Sequence, residues 1–238
     1  AGEDGAGAPF RVPVACVRVD LVAWDAAAHR LGGTSNTLVS AVAARLGRRL
    51  GRIDDEGTVT LAVPVSVRVE DDTRANALDA ATVRIRPEGL TEDLRPLRAA
   101  TKDALVATAE QAHELRAVLP LIPLTPPAAA RKAETVALGA AALPVGCSNY
   151  GDLPIAVPRI DGADADDLWV RLNEPGTVPA DLDRIGGQLY VLSGRALDTV
   201  FLSTVARPVG GGLDRDQLHA HVAAVLAEFG LAPSVVTR

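Results

Sequence analysis

The chain predicts a mixed fold of the α/β or α+β kind, in which strands distant in sequence share a sheet flanked by helices. Three observations predict it: a clear period-2 stretch from Thr58 to Glu70, helical spacing in several long segments, and short apolar runs bounded by glycine and proline. The 238 residues are 48% hydrophobic and 23% charged, with 21 glycines and 16 prolines, which excludes collagen-like and disordered readings. A chain of this length can build its own core, and one or two domains fit it.

Residues 1–10, AGEDGAGAPF, read as a flexible lead before an extended apolar strand, VPVACVRVDL. Asp25 is placed to cap a short helix through Arg30, which Gly32 and Gly33 end. The next segment, TSNTLVSAVAARLGRRL, sets Leu38, Val39, Val42, Leu46 and Leu50 on one side and Arg45, Arg48 and Arg49 on the other, the pattern of a surface helix. From Val59 to Val69 every second residue is Val or Leu, a long half-buried strand in which Pro64 marks an edge or a bulge because it cannot donate to a ladder. A second strand runs through Ala81, Val83 and Ile85, and a long helix begins at Thr91 and closes before Pro120. Residues 119–127, LPLIPLTPP, are the linker candidate, followed by an Ala-rich helix over about 128–142 and the strand LPVGCSNYG. Further strands are expected over Leu168–Leu172, Gln188–Leu192 and Leu197–Val205, the last two joined by Ser193-Gly194-Arg195 as a hairpin. After Gly210 to Gly212 a final helix puts Leu218, Val222, Val225, Leu226 and Phe229 on one face.

A net charge of -6 argues against a nucleic-acid partner, since polyanion binding needs a basic face to neutralise phosphate. No apolar run approaches the ~18 residues of a membrane span, and the acidic, Gly-rich start lacks the basic and apolar regions of a signal peptide, so a cytoplasmic location is expected. The chain contains no Met, which favours one that begins partway through a longer protein, and its 22 arginines against two lysines, Lys102 and Lys132, fit a high-GC genome. Cys16 and Cys147 make neither a disulfide framework nor a zinc quartet and read as buried thiols.

Chemistry-bearing patterns are sparse. His219 and His221 are two apart on a helix, so their rings point ~200° apart and do not chelate one metal. His113 lies among polar residues of the long helix, and His29 stands before the Gly32-Gly33 break. No GxSxG elbow surrounds Ser148, a Cys147–His dyad stays open as the alternative to a buried thiol, and the glycines at 210 to 212 lack phosphate-loop spacing. The stripe of Arg45, Arg48, Arg49 and Arg52 reads as a solvated face that could also meet a phosphate or an acidic partner.

Four stretches taken in order carry a resemblance. GGTSNTLVSAVAARLGRRL resembles the G-x-T-x-N-D-x-x-L-A helix start of bacterial wax ester synthase/diacylglycerol acyltransferases and their condensation-domain relatives, and VPVSVRVEDDTRAN resembles that family's VPVS-x-R strand and acidic loop. GCSNYGDLP is similar to its S-N-x-x-G segment, and residues 188–208 with the helix after them are similar to its closing hairpin and helix. Over about residues 10 to 230 the order matches the C-terminal lobe, so the resemblance implies a chloramphenicol acetyltransferase-like lobe of a condensation-type fold spanning 11–238. It also implies an acyl-CoA or acyl carrier thioester as substrate with no other cofactor, a lipid alcohol or diacylglycerol as acceptor, an N-terminal catalytic lobe of the same product as partner, and peripheral contact with lipid as an option.

The family's His-His-x-x-x-Asp-Gly base motif does not occur here, so no catalytic residue is assigned to this chain. The nearest segment, IDGADADD, has Val157 where a chloramphenicol acetyltransferase-type enzyme would carry its His, which counts against a complete trimeric enzyme of that type and leaves Asp161 as a turn residue. Asn36, Arg68, Asn76, Ser148 and Asn149 are the candidates for positioning substrate or the facing lobe. A cap at Asn36 and turns at Asn76 and Asn149 would explain those residues equally. The alternative function is a non-catalytic module that binds an acyl chain or a partner protein.

Overall fold

Strand β1 (Val14–Asp20) turns Ala15, Val17 and Val19 into the core. Helix α1 (Leu21–Arg30) begins directly after it, because the last strand residue is itself the cap: Asp20 keeps extended backbone and its Oδ1 accepts the Ala23 amide at 2.8 Å. The expected cap, Asp25, lies one turn inside the helix. The computed structural model describes residues 11–75, 77–118, 125–126, 143–171 and 177–235. The Ala-rich helix expected over 128–142 and nearly all of the 119–127 linker lie outside them.

Thr34 caps helix α2 (Ser35–Arg49), accepting the Thr37 amide at 3.2 Å. This helix is not the surface helix that its leucines and arginines suggest. Leu38, Val42 and Leu46 are buried as expected, but Ala41, Ala43 and Ala44 are fully buried too. Small residues on the other sides let neighbours close around it, and solvent reaches it mainly at Asn36 in its first turn and at the arginines of its last turns.

The remaining elements are β2 (Val59–Ser66), β3 (Leu78–Ile85), α3 (Arg95–Val118), β4 (Val145–Asp152), α4 (Pro179–Arg184), β5 (Gln188–Ala196), β6 (Thr199–Arg207), α5 (Arg215–Glu228) and the short β7 (Ser234–Val235). The strands form one seven-stranded sheet in the order β3-β2-β4-β5-β6-β1-β7. The pairings make β1, β2, β4 and β5 run the same way, with β3, β6 and β7 opposed. Helices α1, α2 and α5 contribute to the core on one face, where they meet Val59, Leu61, Val145, Val191 and Leu202.

Three strand expectations need correction. Strand β2 stops at Ser66, so Val69 is 71% exposed although its alternation continues. Its ladder with β4 covers only Leu61 and Ala62, so Pro64 does sit beside an open edge. Residues 168–171 form no strand. The β5–β6 turn lies at Leu197-Asp198 and not at Ser193-Gly194-Arg195: Leu197 takes the positive φ of 54°, while Gly194 stays in the strand because a Cβ there would lie 2.6 Å from the Phe201 ring.

Candidate functional site

The carboxyl ends of β1, β2, β4 and β5 lie at one end of the sheet, where the N-terminus of α2 meets β4. Two of the sequence candidates meet there. Asn149, on the core-facing side of β4 with Val145 and Cys147, directs its Nδ2 to Asn36 Oδ1 at 3.4 Å. Its own Oδ1 accepts the Gly151 amide at 3.0 Å. That second bond shapes the β4–β5 irregularity between Asn149 and Asp152, with Gly151 at φ 67°. Asn149 is thus a brace whose two polar ends are both engaged. Asn36 is not the cap of α2, a role Thr34 fills, and with its oxygen occupied it retains an amide donor.

Asn36 lines a cavity of about 410 Å³ between the start of α2 and the flank of α3. Thr34 and Thr37, whose hydroxyls lie 2.9 Å apart, contribute one wall. From α3 come the cations Arg98 and Lys102 and the apolar Leu105 and Val106, the latter 51% exposed. The arrangement offers hydrogen-bond donors, positive charge and an apolar strip, but among the described residues no carboxylate, histidine or thiol lines it. Sequence inspection missed Arg98 and Lys102, which read as the polar face of a long helix. The one available signal was that Lys102 is one of two lysines in the chain.

The other candidates stand apart. Ser148 projects from the opposite face of β4 and hydrogen-bonds Tyr190, whose phenol burial pushes to a higher pKa. Arg68 lies past the end of β2, exposed, with Nη1 donating to the Asp72 carbonyl at 2.7 Å. It forms no buried ion pair, because the Asp72 carboxylate belongs to Arg74 at 2.6 Å, a pairing that holds that carboxyl well below its usual range. Asn76 lies outside the described residues. Near the same end of the sheet, Arg195 bonds Asp25 at 2.7 Å and stands 3.1 Å from Asp152.

Both cysteines are buried free thiols, as expected. Burial drives the Cys147 thiol up to about 11, and its neighbour at 3.8 Å is the Ser40 hydroxyl, so it has no base to activate it. Burial likewise raises Cys16, beside Ser203. His221 Nδ1 accepts from Arg49 at 2.9 Å, and both His219 ring nitrogens are buried without a partner. His29 is exposed on α1, and the His113 side chain lies outside the described residues. The arginine stripe is only in part the solvated face expected: Arg45 pairs with Glu228 at 2.7 Å, Arg48 with Glu88, Arg49 donates to His221, and Arg52 is buried with its Nη1 unpartnered. Asp161 makes a turn, accepting the Ala163 amide at 3.1 Å. The glycine loop gives its Gly210 amide to Asp183 at 2.9 Å, a carboxylate of the chain itself. Among the described residues no cluster of metal-ligating side chains occurs, and no helix is long and apolar enough to cross a membrane.

No family model matches the chain, and no curated protein matches it. Solved structures do resemble it. The nonribosomal peptide synthetase FmoA3 superposes with a TM-score of 0.56 at 18% identity, over 92% of this chain and 22% of that one. The trichothecene 15-O-acetyltransferase TRI3 from Fusarium sporotrichioides gives 0.50 at 14%, over 93% of this chain and 47% of that one. A wax ester synthase/diacylglycerol acyltransferase from Marinobacter aquaeolei VT8 reaches only 0.48 at 16%, over 91% and 48%. The chain spans less than half the length of each. At these identities the likeness defines a fold, the mixed α/β architecture of condensation-domain and acyltransferase-like structures.

Proposed function

We propose that this chain is the C-terminal lobe of a condensation-type O-acyltransferase that moves an acyl group from CoA or a carrier thioester to a lipid alcohol or diacylglycerol. The observation that carries the reading is the Asn36–Asn149 brace beside a cavity with donors and cations at one end and Leu105 and Val106 at the other. An acyl thioester has matching parts: a carbonyl to accept from the Asn36 amide, an apolar chain, and, in CoA, phosphates that suit Arg98 and Lys102. Coverage of 93% of this chain against 47% of a whole acetyltransferase also supports a lobe.

The reaction needs a base, and among the described residues none lines the cavity. A hydroxyl is a poor nucleophile at neutral pH until a positioned group takes its proton, typically worth ~10²–10⁴ in rate. In the proposal an N-terminal lobe of the same product supplies that base across the cavity, and this lobe binds and orients the thioester. The isolated chain then releases negligible thiol from long-chain acyl-CoA in the presence of an alcohol. Turnover by the chain alone that survives replacement of all four histidines would overturn the scheme. The intact mass of the native product gives the second test: about twice that of this chain supports the two-lobe enzyme. A product the size of this chain favours instead the non-catalytic binding module, for which the lack of a base among the described residues lining the cavity is the supporting observation. In the two-lobe product, Asn36→Ala is expected to slow acyl transfer by about tenfold or more through loss of one positioned donor.

A further inference from the structure

We propose that a second site, at the opposite end of the sheet from the Asn36 cavity, binds a small organic phosphate. A cavity of about 470 Å³ opens at the start of β1, between residues 11–16, the 169–171 segment and the N-terminus of α5. Three arginines from those separate segments line it: Arg11, Arg171 and Arg215. Among the described residues none of the three makes an ion pair or a side-chain hydrogen bond, a state shared only singly elsewhere by Arg52, Arg86 and Arg98, whereas Arg18, Arg45, Arg48, Arg74, Arg84, Arg95, Arg159, Arg195 and Arg207 pair with carboxylates. In a chain of net charge -6, three unpaired guanidinium groups around one cavity are a local surplus that calls for an anion.

The one lining carboxylate among the described residues, Asp214, offsets a single charge of the three. Asp214 is committed to capping α5, its Oδ1 accepting the Gln217 amide at 2.8 Å. Arg215 occupies the first position of that helix, between the carboxylates of Asp214 and Asp216 that suit the positive end of the helix dipole. Arg171 and Arg215 both act on one point of the cavity wall: the charge of each opposes the rise that burial imposes on the Cys16 thiol. Guanidinium forks match phosphate oxygens two at a time, and three of them suit a dianion better than a single carboxylate. The remaining walls are apolar, from Val12, Pro13 and Leu213, with the partly exposed indole of Trp169 available to lie against a flat or greasy body. The ligand class is therefore a phosphate monoester on an apolar or aromatic group, bound independently of the acyl-transfer reading.

Titration calorimetry of the whole chain with phenyl phosphate, inorganic phosphate and phenol tests this. Saturable binding of phenyl phosphate, weaker binding of inorganic phosphate and none of phenol is expected. Arg171→Gln and Arg215→Gln should each weaken phenyl phosphate by about tenfold or more, while Arg159→Gln, which removes an arginine paired elsewhere, leaves it unchanged. Trp169→Ala should weaken phenyl phosphate and spare inorganic phosphate. The proposal is overturned by an absence of saturable phenyl phosphate binding, by equal affinity for inorganic phosphate, or by full affinity in an Arg171→Gln variant with an unchanged urea midpoint. Arg171 lies in neither a helix nor a strand, so its variant keeps the test interpretable if the Arg215 change unfolds α5.

Discussion

At Gly146 the face of β4 is bare because the Tyr190 ring lies across it: a Cβ there would stand 2.1 Å from Tyr190 Cδ2. Gly146→Ala must therefore displace a half-buried ring that also hydrogen-bonds Ser148, and overpacking of that kind costs about 1–3 kcal/mol. A fall in urea midpoint at unchanged slope is the expected result, and the same substitution in a Tyr190→Leu background should cost distinctly less. Arg68 gives the opposite case. It is exposed and bonds only a backbone carbonyl, so Arg68→Ala is expected to change stability by no more than about 0.5 kcal/mol in the same assay. A drop of several kcal/mol would reveal a buried ion pair that the geometry does not contain.

At the scale of elements, α5 is the segment whose sequence and structure agree most fully. Its expected stripe of Leu218, Val222, Val225 and Leu226 is buried, and a reciprocal box closes its start: Asp214 accepts the Gln217 amide while Gln217 Oε1 accepts the Asp214 amide at 2.9 Å. Asp214→Ala should cost about 1 kcal/mol, read from urea melts, and Asp214→Ser should recover most of it. Periodicity was a poorer guide where burial does not follow side-chain size. Helix α2 is buried on faces made of alanine, which a search for large apolar residues passes over. In β2 the valines alternate beyond the point where a partner strand exists, and the β5–β6 turn uses a leucine where turn chemistry favours glycine. The candidate site was legible only through motif resemblance, since Asn36 and Asn149 are 113 residues apart and no local spacing joins them. That resemblance found both asparagines but could not separate them from Ser148, which sits on the other face of the same strand. It also could not see α3, whose Arg98 and Lys102 gain meaning only from the cavity beside Asn36.

For the whole molecule, acid should act in two separate windows. His219 and His221 are both held below their ordinary value of 6.5, first by burial and then by the charges of Arg215 and Arg49 respectively. The folded chain therefore resists protonation where the unfolded chain accepts it, so unfolding takes up protons and stability falls as the pH drops below 6.5. The second window belongs to carboxylates whose folded values are lowered from 3.8: Asp54 by the Thr58 amide, Asp93 by Arg95, Asp164 by Arg159 and Asp183 by Arg207. Their contribution is complete above 3.8 and disappears as the pH falls through the lower folded values. Urea midpoints measured from pH 7.5 downward should decline once below about 6.5, level, and decline again below about 4. His219→Leu separates the two. Its imidazole nitrogens have no partners to lose, so a leucine on the inner side of α5 removes the proton-linked penalty without orphaning a polar group, and the first decline should shrink while the second stays. An undiminished first decline in the His219→Leu, His221→Gln double variant would assign that window to some other group.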